Sequence, residues 1–320
     1  MSQRLLHWAQ LVRLPNVFTV LADVSAAFLL VAGTHQPVTR FACVLLAGVS
    51  LYWAGMILND LFDLERDRAQ RPKRPLASGA ISPQAARIAG WGLLILGVVL
   101  AAASGKIPYE NASGDAAPDT WLPAAIGCAL AIAIVLYDGP LKSTPFAPAT
   151  MGVCRVLSFL LGASPMLLAV PGQPLIPKFI LGVAFGFGVY IMGITTMARD
   201  EATGGNKINL RTGLMSIVMG VVLLAFAPGL ARHPGAFKMF PGSLFPVLIG
   251  LIGFPVIIRA IRVQFDSDPL KIQNTIRAGV LSIIPFAAVY AMIGAGRFYG
   301  LAVFALVIPA ILLAARLRVT

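Results

Sequence analysis

The sequence predicts an all-α fold, a polytopic transmembrane helical bundle of about nine or ten spans, with residues 1–320 forming a single transmembrane domain. Three observations predict it. The 320 residues are 58% hydrophobic and only 12% charged, with mean hydropathy +0.83, whereas soluble domains carry about 25% charged residues. About ten stretches reach the length of apolar chain that crosses a bilayer, and inside lipid only a helix satisfies its own backbone polar groups over such a length. The basic residues between these stretches gather on alternate sides.

The stretches run over residues 15–33, 41–59, 84–104, 121–137, 147–169, 177–198, 212–230, 242–261, 277–294 and 297–316. The first has no small-residue cleavage site behind it, so it reads as a span and not as a leader. The last two are parted by little more than Gly294-Ala295-Gly296-Arg297, and read either as a tight hairpin or as one span with a re-entrant piece. If the N-terminus lies inside, 19 Lys and Arg fall inside and 6 outside, which sets both termini inside. The net charge of +12 is thereby a matter of topology, and no nucleic acid is expected as a partner. The expected setting is a bacterial cytoplasmic membrane, with the polar loops 59–83, 138–146 and 199–211 together on the cytoplasmic face around the mouth of a cavity.

Most of the scattered candidates read as packing or as ordinary loops. Cys43, Cys128 and Cys154 lie in apolar stretches without metal or disulfide spacing. His7, His35 and His233 form neither a metal cluster nor a catalytic triad. Gly182 and Gly186, a G-x-x-x-G pair, read as close helix packing within the bundle. Asn111-Ala-Ser matches a glycosylation pattern by chance, and Asp266 and Asp268 read as a solvated loop.

Residues 59–79 do not fit an ordinary loop. Asp60, Asp63 and Asp67 are spaced i, i+3, i+7, on one face of a helix, and would repel one another without a counter-charge. Their hard oxygens suit Mg²⁺, which keeps waters and bridges to substrate phosphates. Lys73 and Arg74 follow and can neutralise phosphate oxygens. Asp23 stands inside the first span, on the face that carries Asn16 and Thr19, and an ionisable residue there is a functional candidate. Tyr137, Asp138 and Lys142 border the fourth span. Arg155, just inside the fifth, calls for a partner, either a phosphate or Asp138.

The run Asn59-Asp60-x-x-Asp63-x-x-x-Asp67, continuing as Arg71-Pro72-x-Arg74-Pro75-Leu76-x-Ser78-Gly79, resembles the first signature of the UbiA family of intramembrane prenyltransferases. Arg13-Leu14-Pro15-Asn16, the segment Tyr137 to Lys142 and the acidic cluster after the sixth span agree with it. The resemblance implies a bundle of about nine spans. It also implies Mg²⁺-dependent transfer of a prenyl group from an isoprenoid diphosphate to a small-molecule acceptor, with membrane lipid around the reaction.

Carried onto this chain, the resemblance gives Asp60, Asp63, Asp67 and Asp200 as metal ligands. Asn16, Asn59, Lys73, Arg74, Lys142 and Arg155 become diphosphate contacts. Tyr137 lines the cavity, and Asp23 lies deeper, orienting or deprotonating the acceptor. The second signature departs from the usual D-x-x-x-D, because Asp200 is followed by Gly204 where a carboxylate is expected. Glu201 and Asn206 are the available substitutes, approaching from a flexible glycine pair. That departure leaves open a non-catalytic lipid-diphosphate-binding protein or transporter on the same fold, or a structural subunit of a biosynthetic complex. Acceptors in the family include aromatic acids, quinone precursors, porphyrin-type macrocycles and glycerol phosphate, and no residue pattern here selects among them.

Overall fold

The computed structural model describes residues 3–109, 119–167, 174–199, 201, 206–231, 237–239 and 241–317. Among them the chain is all-helical, with fourteen α-helices and short 3₁₀ turns. A short helix α1 (Gln3–Leu11) precedes a left-handed break at Arg13 and the first span, α2 (Val17–Ala32). Then follow α3 (Val38–Phe62), α4 (Leu64–Gln70), α5 (Pro83–Lys106), α6 (Leu122–Asp138), α7 (Ala147–Ala163), α8 (Lys178–Ala198) and α9 (Lys207–Phe226). The last are α10 (Phe245–Phe265), the pair α11 (Pro269–Leu281) and α12 (Ile283–Ala295), and the pair α13 (Arg297–Phe304) and α14 (Val307–Leu317).

Nine helical segments among the described residues are long and apolar enough to cross a membrane. The tenth apolar helix, α6, has 17 residues, just short of a comfortable crossing length. The chain is therefore an integral, multi-pass membrane protein. The two readings of its end resolve as a hairpin: α12 and α13 meet at Gly296, whose φ of +106° suits a residue without Cβ.

Local chemistry starts the helices where expected. Ser82 caps α5 by accepting a hydrogen bond from the Ala85 amide at 3.2 Å, with Pro83 at the first helical position. Asp268 caps α11 through the Leu270 amide at 3.1 Å, with Pro269 behind it. Such side-chain acceptors satisfy amides that the helix cannot.

The core is aliphatic and aromatic, drawn from α2, α3, α7, α8, α9, α10 and α12. Small residues set the closest approaches. A Cβ on Gly162 of α7 would stand 2.5 Å from the Val24 carbonyl oxygen of α2, so these two helices touch backbone to backbone. Gly182 and Gly186 lie against Ala227 and Leu224 in the same way, which bears out packing within the bundle. Gly152 of α7 faces Gly188 of α8, so this reversal brings Ala198, the last residue of α8, to the end of the bundle where α7 begins.

The opposite end is tied by an arginine. Arg40, near the start of α3, is fully buried. Its Nε donates to the Ile107 carbonyl at 2.7 Å and its Nη1 to the Pro165 carbonyl at 2.9 Å. Its guanidinium lies 4.6 Å from the Tyr109 ring centre. One side chain thus joins the ends of α3, α5 and α7.

Candidate active site

The helix-period reading of Asp60, Asp63 and Asp67 holds with one modification. The backbone stays nearly helical through the α3–α4 junction, with the Asp63 amide bonded to the Asn59 carbonyl at 3.1 Å and the Asp67 amide to the Asp63 carbonyl at 2.8 Å. Seven residues at 3.6 per turn bring positions 60 and 67 within about 20° of each other, while position 63 is about 60° away. The side chains divide accordingly. Arg74 Nη1 donates to Asp67 at 2.7 Å and to Asp60 at 3.4 Å, so one nitrogen bridges both carboxylates. Arg13 adds a weaker approach to Asp60 at 3.9 Å. Asp63 instead pairs with Arg66 at 2.7 Å and with Lys142. All three carboxylates are buried.

Asn59, four residues before Asp63 on the same stripe of α3, turns to α6. Its Nδ2 donates to Asp138 Oδ1 at 2.9 Å. Asp138 is buried, and its second oxygen has no hydrogen-bond partner among the described residues. The segment Tyr137 to Lys142 therefore meets the 59–67 run at two points. Tyr137 is half-buried in the field of Asp138, Arg13 and Asp63.

Deeper in the bundle a second polar group joins α2 to α7. Asp23 is fully buried, and its Oδ2 lies 3.0 Å from Arg155 Nε, close enough for ion pairing without hydrogen-bond alignment. Ser158 Oγ donates to the same oxygen at 3.4 Å, and Arg155 Nη2 donates to the Thr19 carbonyl at 3.3 Å. Arg155 thus pairs with Asp23, where the sequence offers a phosphate or Asp138. Tyr52 of α3 lies between this pair and the mouth, near Arg155 and Asn16, with its hydroxyl donating to the Arg13 carbonyl at 3.4 Å.

The remaining candidates fall in different places. Asn16 is exposed beside Tyr52, and Lys73 is exposed on the loop before α5. Asn206 caps α9, its Oδ1 accepting from the Ile208 amide at 2.9 Å; that oxygen is engaged locally. Glu201 is half-buried. Asp200 and Gly204 lie outside the described residues.

Among the described residues no three His, Cys, Asp or Glu side chains converge as metal ligands. The acids come in pairs instead, and Asp60 with Asp67 already flank a positive charge. Mg²⁺ is commonly held by one or two carboxylates together with water and substrate phosphate, so this donor set fits the ion in kind and in number. Sequence reasoning left out Arg13 and Ser158, and passed over Asp138. The signal for Asp138 was its place between Tyr137 and Lys142, and that for Arg13 its place in Arg13-Leu14-Pro15-Asn16; nothing local marks Ser158.

Comparison with known proteins agrees with this geometry. A model of the UbiA prenyltransferase family matches residues 19–276. The digeranylgeranylglyceryl phosphate synthase of Ignicoccus hospitalis is 27% identical over 280 residues, covering 84% of this chain and 85% of that protein. The apo structure of a UbiA homolog from Aeropyrum pernix K1 superposes with a TM-score of 0.59 at 17% identity, over 94% of this chain and 98% of its own. The structure of a UbiA homolog from Archaeoglobus fulgidus bound to GPP and Mg²⁺ gives 0.54 at 17% identity, over 93% and 99%. These two structures share the fold of this chain. The family match over most of the sequence, on a helical bundle with buried acids at one end, makes this chain a prenyltransferase belonging to the UbiA prenyltransferase family.

Proposed function

We propose that this protein transfers a prenyl group from an isoprenoid diphosphate to a hydroxyl of a glycerol-phosphate-type lipid, in a Mg²⁺-dependent reaction at the cytoplasmic mouth of the bundle. The observation that carries the reading is the buried network in which Arg74 bridges Asp60 and Asp67 while Lys142 holds Asp63. Acids and bases in that ratio can bind a cation and a polyphosphate together. The choice of acceptor is supported by the relative in Ignicoccus hospitalis, a digeranylgeranylglyceryl phosphate synthase.

The roles follow from position. Asp60, Asp63 and Asp67 hold the cation, with Asp200 as the further ligand that the resemblance to the family's second signature implies. Arg74 and Lys142, released from the acids, take up diphosphate oxygens through charge-assisted hydrogen bonds. Lys73, Asn16 and Asn59 lie around them at the mouth. When bound, Mg²⁺ neutralises the departing diphosphate and acts as a Lewis acid. The apolar interior keeps water from the reacting carbon. Asp23, held by Arg155 and Ser158, orients the acceptor from below.

The test is release of pyrophosphate from purified protein, with and without Mg²⁺, against a panel of prenyl diphosphates and acceptors. The double variant Asp60→Ala, Asp63→Ala is expected to lose activity to background. Undiminished release by that variant would sink the assignment. A preference for an aromatic acceptor over the glycerol-phosphate lipid would overturn the acceptor.

A further inference from the structure

We propose that Asp138 is the general base of the reaction, its Oδ2 taking the proton of the acceptor hydroxyl. The inference rests on the function proposed above, since it needs an acceptor with an O–H.

Asp138 ends α6 with 3% of its surface exposed. Its two oxygens differ. Oδ1 is fixed by the Asn59 amide at 2.9 Å; Oδ2 has no partner among the described residues. A buried polar atom left in this way is costly, and structures seldom carry that cost without a use for the atom. Lys142, one of the bases that face it, is bonded to Asp63 and not to this oxygen. The groups that face Asp138 are Asn59 and Asp63 from α3, Lys142 after α6, Arg13 ahead of α2 and Cys154 from α7, with Tyr137 beside it.

The direction of Oδ2 decides the role. It lies 4.0 Å from the point where a Cβ on Gly55 would stand. Gly55 is one turn before Asn59 on α3, farther from the charged mouth. The free oxygen thus lies on the membrane side of the proposed diphosphate contacts. A donor whose diphosphate sits at Arg74 and Lys142 has its first carbon on that side, and the attacking hydroxyl must come there too. In the step, the acceptor oxygen forms a bond to the first carbon of the prenyl chain. The bond from that carbon to the diphosphate oxygen breaks, its electron pair leaves with inorganic pyrophosphate, and the acceptor's proton moves to Asp138 Oδ2.

Asp138→Asn keeps the shape and the acceptor for Asn59 but cannot take a proton. General-base catalysis contributes about 10²–10⁴-fold, so prenyl transfer by this variant is expected to fall by that factor. Mg²⁺-dependent binding of inorganic pyrophosphate is expected to stay within about twofold, which also reports that the protein is folded. Asp138→Glu is expected to recover part of the rate, and pyrophosphate release in Asp138→Asn to outrun formation of the prenyl ether. Unchanged transfer by Asp138→Asn would overturn the proposal, as would loss of transfer and of pyrophosphate binding together, which would make Asp138 a part of the cation site. A wild-type protein that transfers nothing to any hydroxyl acceptor would instead overturn the proposed function on which the inference rests.

Discussion

Asp23 and Arg155 face each other across α2 and α7 with almost no water around them. Neither charge is tolerable there without the other. Arg155→Leu is expected to destabilise the detergent-solubilised protein by about 3–5 kcal/mol, because it strands a buried carboxylate. Replacing both residues by leucine is expected to restore most of that loss, and thermal unfolding reads both outcomes. Arg74 presents the opposite case, one base between two acids. Arg74→Gln is expected to lower the melting temperature in chelator, and added Mg²⁺ to raise it by more than in the wild type, since the cation then neutralises a pair left without its base. Of these features the sequence disclosed the acids at 60, 63 and 67 and the oddness of Asp23. It did not disclose that Arg155 answers Asp23, because that pairing depends on how two distant helices meet.

The contact between those helices is set at a single small residue. A methyl group on Gly162 would strike the Val24 carbonyl at 2.5 Å, and backbone cannot step aside as a side chain can. Gly162→Ala is expected to cost about 1–3 kcal/mol through overpacking, and to slow prenyl transfer by spreading Asp23 and Arg155. Gly92→Ala serves as the contrast: its Cβ would meet nothing within 4 Å, so the gain in helix propensity, about 1 kcal/mol, is expected to appear unopposed. Element identity was legible in the sequence because apolar runs of this length have one solution in lipid. The junction at Asp63 was less so. Even at uniform period Asp63 stands about 60° from Asp60, and which base meets it there, Lys142, depends on how α6 packs.

At the scale of the whole molecule the helices divide the protein into two unlike ends. The mouth gathers Arg13, the 59–74 run, Asp138 and Lys142. With the native cysteines replaced, Lys73→Cys and Trp121→Cys are expected to react with a membrane-impermeant maleimide from opposite faces of sealed vesicles, Lys73→Cys from the cytoplasmic one. The positive-inside count predicts this orientation from the chain, with Arg40 counted only as one of the six basic residues outside. In the fold Arg40 is a rivet, clasping the carbonyls of Ile107 and Pro165 at the end remote from the mouth. A bundle riveted at one end would open like tweezers. Any tilt of the three helices that Arg40 holds would be narrowest at that tie and widest among the acids and bases at the other tip. Lipid entry by such a tilt would need no unfolding, and one arginine would set its pivot.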